Sequence, residues 1–297
     1  MKNIALIGYG YWGKRLLRYL EEQFNVVSVF GRSLEKEGIF TNRISDVFVD
    51  KVDAVVIATP INTHYEIVEQ ALKAGKHVLC EKPLSQHSVE VEKLMKLVEK
   101  EKLILMTEFT YTFSKGLLYA KNIIDNGSIG KLLAMELSLR YVGRFLKFDV
   151  YWLLASHLLS ILDMFVPLDK LTFKKIEIIQ GETGIICFDG QIKGQIFVSI
   201  NYPHRDSRVV FYGDKGTLKY DTLDKMTNSL IKYRKKEGVL ADELIVDRDG
   251  FQYDESNNLK HAVCYFANVI KVGNIKNSNL NRAFQVTRIL EMLEKKI

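Results

Sequence analysis

Six residues near the N-terminus, Gly8-Tyr9-Gly10-Tyr11-Trp12-Gly13, constrain this chain more than any other segment. They follow a short apolar run, Asn3–Ile7, and lead into a periodic segment, Lys14–Glu22, so a GxGxxG spacing stands at a strand-to-helix junction. The first glycine of such a turn permits the tight bend, the second lets backbone approach a pyrophosphate, and the third brings helix against sheet. The helix then opens with its N–H groups facing the phosphates. The turn predicts the first β-α unit of a dinucleotide-binding fold, with Gly8, Tyr9, Gly10, Tyr11, Trp12 and Gly13 at the cofactor.

The next hundred residues repeat that grammar. Apolar runs at Val26–Phe30, Ala54–Ile57, His77–Cys80 and Leu103–Met106 alternate with helical periodicity at His64–Ala74 and Val89–Glu99. Such alternation gives a parallel sheet covered on both faces by helices. Thr63-His64-Tyr65-Glu66 reads as a capping box opening the helix His64–Ala74. After about Ser114 the pattern changes. One more helix, Lys115–Asn126, precedes clustered strands, clearest in Ile192–Asn201, where apolar and polar residues alternate as in a sheet with one buried face. Arg208–Tyr212 and Gly216–Asp221 read as a hairpin around Gly213-Asp214-Lys215, Lys232–Lys236 as a solvated turn, and Leu259–Val272 and Leu280–Lys295 as closing helices. The expected fold is α/β: a doubly wound Rossmann domain over residues 1–117, then an α+β domain with a mostly antiparallel open sheet over residues 118–297.

Composition narrows the partners. A net charge of +6 is mild for 297 residues and the lysines are scattered, which argues against nucleic acid. No apolar stretch is long enough to span a bilayer, and the N-terminal run is broken by glycines with no small-residue cleavage site, so no membrane partner or leader is expected. Cys80, Cys187 and Cys264 are far apart, which fits a reducing, cytoplasmic setting and offers no metal knuckle.

The second strand ends in Val29-Phe30 and is followed by Gly31-Arg32-Ser33. A site built for NAD places Asp or Glu here to accept from the ribose hydroxyls. Without that carboxylate a 2′-phosphate is not repelled, and the Arg32 guanidinium can bind it bidentately. Gly31, Arg32 and Ser33 therefore favour NADP(H) over NAD(H).

Further landmarks follow in order: Ala58-Thr59-Pro60 with Thr63-His64, Cys80-Glu81-Lys82-Pro83-Leu84, Lys121–Gly127 with Ile129-Gly130-Lys131, Ser199, and Tyr212–Leu218. With the glycine turn, this ordered set resembles the glucose-fructose oxidoreductase/inositol dehydrogenase/MocA family along nearly the whole chain. The resemblance implies that Thr59, Pro60, Thr63, His64, Glu81 and Lys82 border the cofactor and that Lys82 contacts both nicotinamide ribose and substrate. A lysine at a strand's carboxyl end, beside a nicotinamide and partly desolvated, can hydrogen-bond a substrate oxygen and pass a proton. Tyr151–Ile161, YWLLASHLLSI, resembles the segment YWDLAPHDLSI of the family's sugar-dehydrogenase branch, which makes His157 the second catalytic candidate. Ser156, Ser160 and Asp163 read as a polar stripe beside it, facing a cleft.

The match fails at three places, where the family's two aspartates and its proline are Leu153, Leu158 and Ser156. Losing the first aspartate removes the usual carboxylate of the constellation; Lys82 and His157 then act alone, or a group such as Glu108 or Tyr111 stands in. The expected activity is hydride transfer between a nicotinamide and a carbinol or carbonyl carbon of a sugar-like, nucleotide-linked or free, substrate. The alternative is a catalytically weak NADP(H)-binding regulatory protein of the same fold. The second face of Ile192–Asn201, with Phe197 among polar groups, suggests a homodimer or homotetramer through the C-terminal sheet.

Overall fold

Four consecutive fully buried residues, Ile4–Ile7, put the first strand in the middle of a sheet. In the computed structural model, which describes residues 1–33, 35, 37–142, 149–221, 230–234, 245–248, 257–273 and 279–295, the chain forms two compact units. One is Met1–Thr110 with Asn257–Glu291, the other Tyr111–Ser256 with Met292–Ile297.

The first unit runs β1 (Asn3–Ile7), α1 (Tyr11–Gln23), β2 (Asn25–Phe30), β3 (Phe40–Thr41), β4 (Ala54–Ile57), α2 (His64–Lys73), β5 (His77–Glu81), α3 (Ser88–Glu101) and β6 (Leu105–Glu108). Six parallel strands stand in the order β3-β2-β1-β4-β5-β6. The chain thus winds outward from β1 in one direction and restarts at β4 in the other. The switch lies between β1 and β4, where open α/β sheets bind ligands outside the strands' carboxyl ends.

Three sequence expectations change in this unit. The two-residue β3 carries no periodicity and was not expected. The capping box does not form: Thr63 closes a 3₁₀ turn, Ile61–Thr63, with φ −110° and ψ −7°, not the extended backbone an N-cap needs. Its hydroxyl turns back to the Pro60 carbonyl at 2.7 Å and the Thr59 hydroxyl at 2.8 Å. Finally, β6 falls two residues later than the apolar run Leu103–Met106, because Thr107 and Glu108 continue the strand as buried polar residues.

The second unit holds α4 (Lys115–Asp125), β7 (Leu132–Arg140), α5 (Ser156–Phe165), β8 (Leu171–Ile179), β9 (Thr183–Gly190), β10 (Lys193–Ser199), β11 (Asp206–Gly213), β12 (Thr217–Asp221), β13 (Leu230–Arg234) and β14 (Ile245–Arg248). Its eight strands stand in the order β14-β13-β12-β11-β7-β10-β9-β8. Every neighbour pair is antiparallel except β7 with β10. One face buries Leu137, Leu139, Ile196, Val198, Val209 and Phe211, with Phe165 of α5 against Phe211 at 4.6 Å between ring centres. The other carries half-buried Glu136, Gln195, Phe197 and Arg208. The β11–β12 hairpin forms as expected. The basic segment read as a solvated turn does not: Leu230–Arg234 is a strand hydrogen-bonded to both β12 and β14, while residues 235 and 236 lie outside the described residues. Charge alone concealed it, since alternating basic residues suit a strand as well as a turn.

The chain then returns to the first unit as α6 (Asn258–Val272) and α7 (Leu280–Glu294). Fully buried Phe266 of α6 meets Phe24 at 6.2 Å, and Lys260 pairs with Glu22 at 2.6 Å. Among the described residues, no helix is long and apolar enough to cross a membrane.

Candidate functional site

The glycine turn is built by exclusion of side chains. Gly8 takes φ +101°, and a Cβ there would stand 2.5 Å from the Ala58 carbonyl oxygen, so the turn packs directly on the β4 loop. A Cβ on Gly13 would lie 1.9 Å from the Gly8 oxygen. Gly10 differs: nothing stands within 4 Å of where its Cβ would be. That open space lies at the N-terminus of α1, which has no side-chain cap and no acidic residue in its first turn. The cradle has the shape, the donors and the absence of negative charge that a pyrophosphate requires.

Two basic side chains that the sequence does not mark as site residues, Lys14 and Arg15, gather at this turn against the expected aromatic residues Tyr9, Tyr11 and Trp12. The Lys14 ammonium lies 5.4 Å from the Tyr9 ring centre, and the Arg15 guanidinium lies 5.1 and 5.4 Å from the rings of Tyr11 and Trp12. Their signal was the Lys14-Arg15 pair opening the helix directly after the motif. Gly31 donates its N–H to the Thr41 carbonyl at 3.0 Å, and Arg32 and Ser33 are exposed in the turn that follows β2.

His64 connects the next two loops. Its ring is buried, with Nδ1 2.8 Å from the Pro83 carbonyl oxygen and Nε2 2.8 Å from that of Thr59. Burial holds its pKa below the ordinary value, with the Lys82 charge adding to the effect against the two carbonyl contacts. The imidazole thus ties the Thr59-Pro60 loop after β4 to the Glu81-Lys82-Pro83 loop after β5.

Lys82 follows the last residue of β5, whose Glu81 stands in register with Glu108, the last residue of β6. Glu108 is 1% exposed and accepts from the Thr110 hydroxyl at 2.6 Å through Oε2. Glu81 Oε1 and Glu108 Oε1 are buried and have no hydrogen-bond partner among the described residues. Desolvation lowers the Lys82 pKa to about 8 against the attraction of Glu81 and Glu108. It raises Glu108 to about 7 against the Thr110 hydrogen bonds and the Lys82 charge, and together with Glu108 it pushes Glu81 well above the usual carboxylate range. Near neutral pH this cluster can hold or release a proton at small cost.

In the second unit His157 lies one residue into α5, directly after a π-helical turn, Tyr151–Ala155. Such turns re-aim side chains and concentrate at functional positions. The ring meets Tyr111 edge-on at 5.1 Å. Leu153, four residues earlier, is half-buried like His157, whereas Leu158 is buried. The expected polar stripe is not one. Ser156 and Ser160 are fully buried and spend their hydroxyls on the helix's own carbonyls, Trp152 at 2.8 Å and His157 at 2.6 Å. No group of three or more His, Cys, Asp or Glu side chains suited to a metal gathers among the described residues.

Residues 2–109 match the model of an oxidoreductase family with an NAD-binding Rossmann fold. Among curated relatives, the myo-inositol 2-dehydrogenase of Thermotoga maritima is 38% identical over 89 residues, 30% of this chain and 27% of that enzyme. The chain aligns with less than half the length of the curated relatives it matches. Solved structures match along the whole chain. A UDP-N-acetylglucosamine 3-dehydrogenase from Acidithiobacillus ferrooxidans has TM-score 0.85 at 17% identity, covering 100% of this chain and 97% of that one. A 3-ketoreductase from Actinomadura kijaniata, solved with TDP-benzene and NADP, has TM-score 0.84 at 17% identity, covering 99% and 96%. At such identity the likeness is one of fold, and it extends over both units. The glycine turn and the β1/β4 switch point agree with the family match: residues 2–109 are similar to the Gfo/Idh/MocA oxidoreductases.

Proposed function

We propose that the protein is an NADP(H)-dependent oxidoreductase that interconverts a carbinol and a carbonyl group on a sugar-like substrate. The observation that carries the reading is Lys82, half-buried at the carboxyl end of β5 in a sheet whose glycine turn leaves an open cradle at Gly10. The Gly8–Gly13 turn, with Tyr9, Tyr11 and Trp12, would hold the pyrophosphate, and Gly31, Arg32 and Ser33 the adenosine ribose with its 2′-phosphate. Thr59, Pro60, Thr63, Glu81 and Lys82 would border the nicotinamide end, with His64 keeping their two loops in register. When bound, the dinucleotide supplies the hydride donor or acceptor.

The protein's own chemistry is to manage the proton. Lys82, with a pKa of about 8, gives a proton to a substrate carbonyl oxygen in reduction and takes one from a hydroxyl in oxidation. His157 is assigned as the second proton-handling group from the resemblance of its segment. The relatives' names support a polyol or sugar, and two structural neighbours that act on or were solved with nucleotide-linked compounds tilt the choice toward a nucleotide sugar.

Lys82→Ala and His157→Ala test the assignment. Each should lower kcat by about 10²–10⁴-fold with little change in NADPH affinity, and the double variant should fall well short of the product of the two. Full activity of both variants on a verified substrate would overturn the catalytic roles. Tight NADPH binding with no turnover of any polyol, sugar or nucleotide sugar would favour the regulatory reading instead.

A further inference from the structure

We propose that Glu108 is the carboxylate partner of Lys82, positioning its amine and exchanging a proton with it. The inference rests on the reading of Lys82 as the proton-handling group and extends it to a residue that neither the family match nor the relatives' names assign.

The geometry that points to Glu108 is local to one sheet edge. Glu108 ends β6 in register with Glu81, immediately before Lys82. Its carboxyl is almost completely buried, one oxygen is fixed by the Thr110 hydroxyl at 2.6 Å, and the other is buried without a hydrogen-bond partner among the described residues. Burying a polar oxygen unsatisfied costs on the order of 1–3 kcal/mol, so its persistence at a ligand-facing strand end marks a group with work to do there. Glu81 is the rival, because it also presents a buried bare oxygen. Two carboxyls facing each other in register cannot both ionise cheaply. Thr110 donates to Glu108 from both its hydroxyl and its backbone, whereas Glu81 accepts from the backbone of Lys82. Glu81 therefore stays protonated and Glu108 is the member that titrates near neutral pH.

The charged and titratable groups that act on Lys82 or feel its charge include Glu81 from β5, Glu108 from β6 and His64 from α2. In the oxidative direction the substrate O–H bond breaks and its proton bonds to the neutral Lys82 amine; an oxidised nicotinamide, when bound, would accept the hydride that carbon gives up. One N–H bond of the resulting ammonium then breaks and the proton passes to the Glu108 carboxylate, restoring a neutral amine beside a carboxylic acid. No electrons are exchanged in that second transfer, and reduction runs the two transfers in reverse.

Glu108→Gln keeps the volume and an acceptor for Thr110 but removes the charge. Losing an anion that favours the ammonium must lower the Lys82 pKa. The readout is the pH dependence of Lys82 modification by trinitrobenzenesulfonate in the full-length protein without cofactor, followed by peptide mass spectrometry. The modification midpoint should fall by about one pH unit or more in Glu108→Gln, and in the same direction but less in Thr110→Val, which serves if the first variant fails to fold. On a verified substrate, the rising limb of the oxidative pH–rate profile should move down by the same interval, while kcat at its optimum falls about tenfold or more. An unchanged midpoint in both variants overturns the role of Glu108. If Lys82→Ala retains activity, the reading of Lys82 fails instead; if Lys82→Ala is inactive and only the midpoint is unmoved, Glu108 alone is wrong.

Discussion

Gly10 and Gly13 stand three residues apart in one turn, yet a methyl group added to each meets opposite surroundings. At Gly13 it would collide with the Gly8 carbonyl oxygen at 1.9 Å, and backbone must move; at Gly10 it would enter open space on an extended backbone, φ −83° and ψ −158°. Gly13→Ala should therefore destabilise the protein by roughly 3 kcal/mol or more, a loss of about 6–12 °C in Tm. Gly10→Ala should leave Tm unchanged or slightly raised, yet weaken NADPH binding by about tenfold or more, because the methyl takes the place of the phosphate. Thermal unfolding and a binding titration on both variants check this; a Gly10→Ala protein that binds normally would remove the turn from the cofactor site. The geometry of the turn was legible in the sequence because a glycine spacing encodes backbone geometry directly. Side-chain direction was not. Ser156 and Ser160 sit at helical spacing, but a hydroxyl inside a helix can bond its own backbone, and here both do.

At the scale of elements, the sheet of the first unit would leave β6 as a raw edge, and Asn279 closes it. Its side-chain oxygen accepts from the Thr107 N–H at 2.8 Å and its amide donates to the Thr107 carbonyl at 2.7 Å, so one amide side chain takes the part of a neighbouring strand. Thr107 adjoins Glu108, which ties the candidate site to the start of α7. Asn279→Ala should cost about 2 kcal/mol or more in denaturant unfolding and speed hydrogen exchange at Thr107. Asn279→Asp should not rescue it, because a carboxylate sets an oxygen against the Thr107 carbonyl; wild-type stability in either variant would show that solvent satisfies this edge. The helix α7 also reaches α3, where Glu291 accepts from the Ser88 N–H at 3.0 Å and its hydroxyl at 2.6 Å, a carboxylate at a helix N-terminus. Hydrophobic periodicity located α6 and α7 well, but it carries no information about which unit they join. It likewise missed β3, too short to have a period, and started β6 early because buried Thr107 and Glu108 do not look like core. Those two polar residues are the ones that bring the strand to the site.

At the scale of the whole molecule, the alternation of Ile192–Asn201 announced a sheet with two unlike faces, and both exist. The outward face carries Phe197 under the Arg140 guanidinium, 4.5 Å from its ring centre, with Arg140 bonded in turn to Asp206. An ordered aromatic and ion-pair layer on a broad sheet face suits pairing with a second copy. The expected assembly is a homodimer or homotetramer, and a monomeric mass in sedimentation at micromolar concentration would contradict it. What the sequence could not convey at this scale is substrate shape, since that depends on side chains brought together from distant segments.

Cofactor binding is tested most directly by titrating the protein with NADPH and NADH and following nicotinamide fluorescence. NADPH should bind at least about tenfold more tightly, roughly 1.4 kcal/mol, and Arg32→Asp should reverse the order. Equal affinities or a preference for NADH would contradict the part given to Arg32, and failure to bind either dinucleotide would contradict the assignment of this protein as a nicotinamide-dependent oxidoreductase.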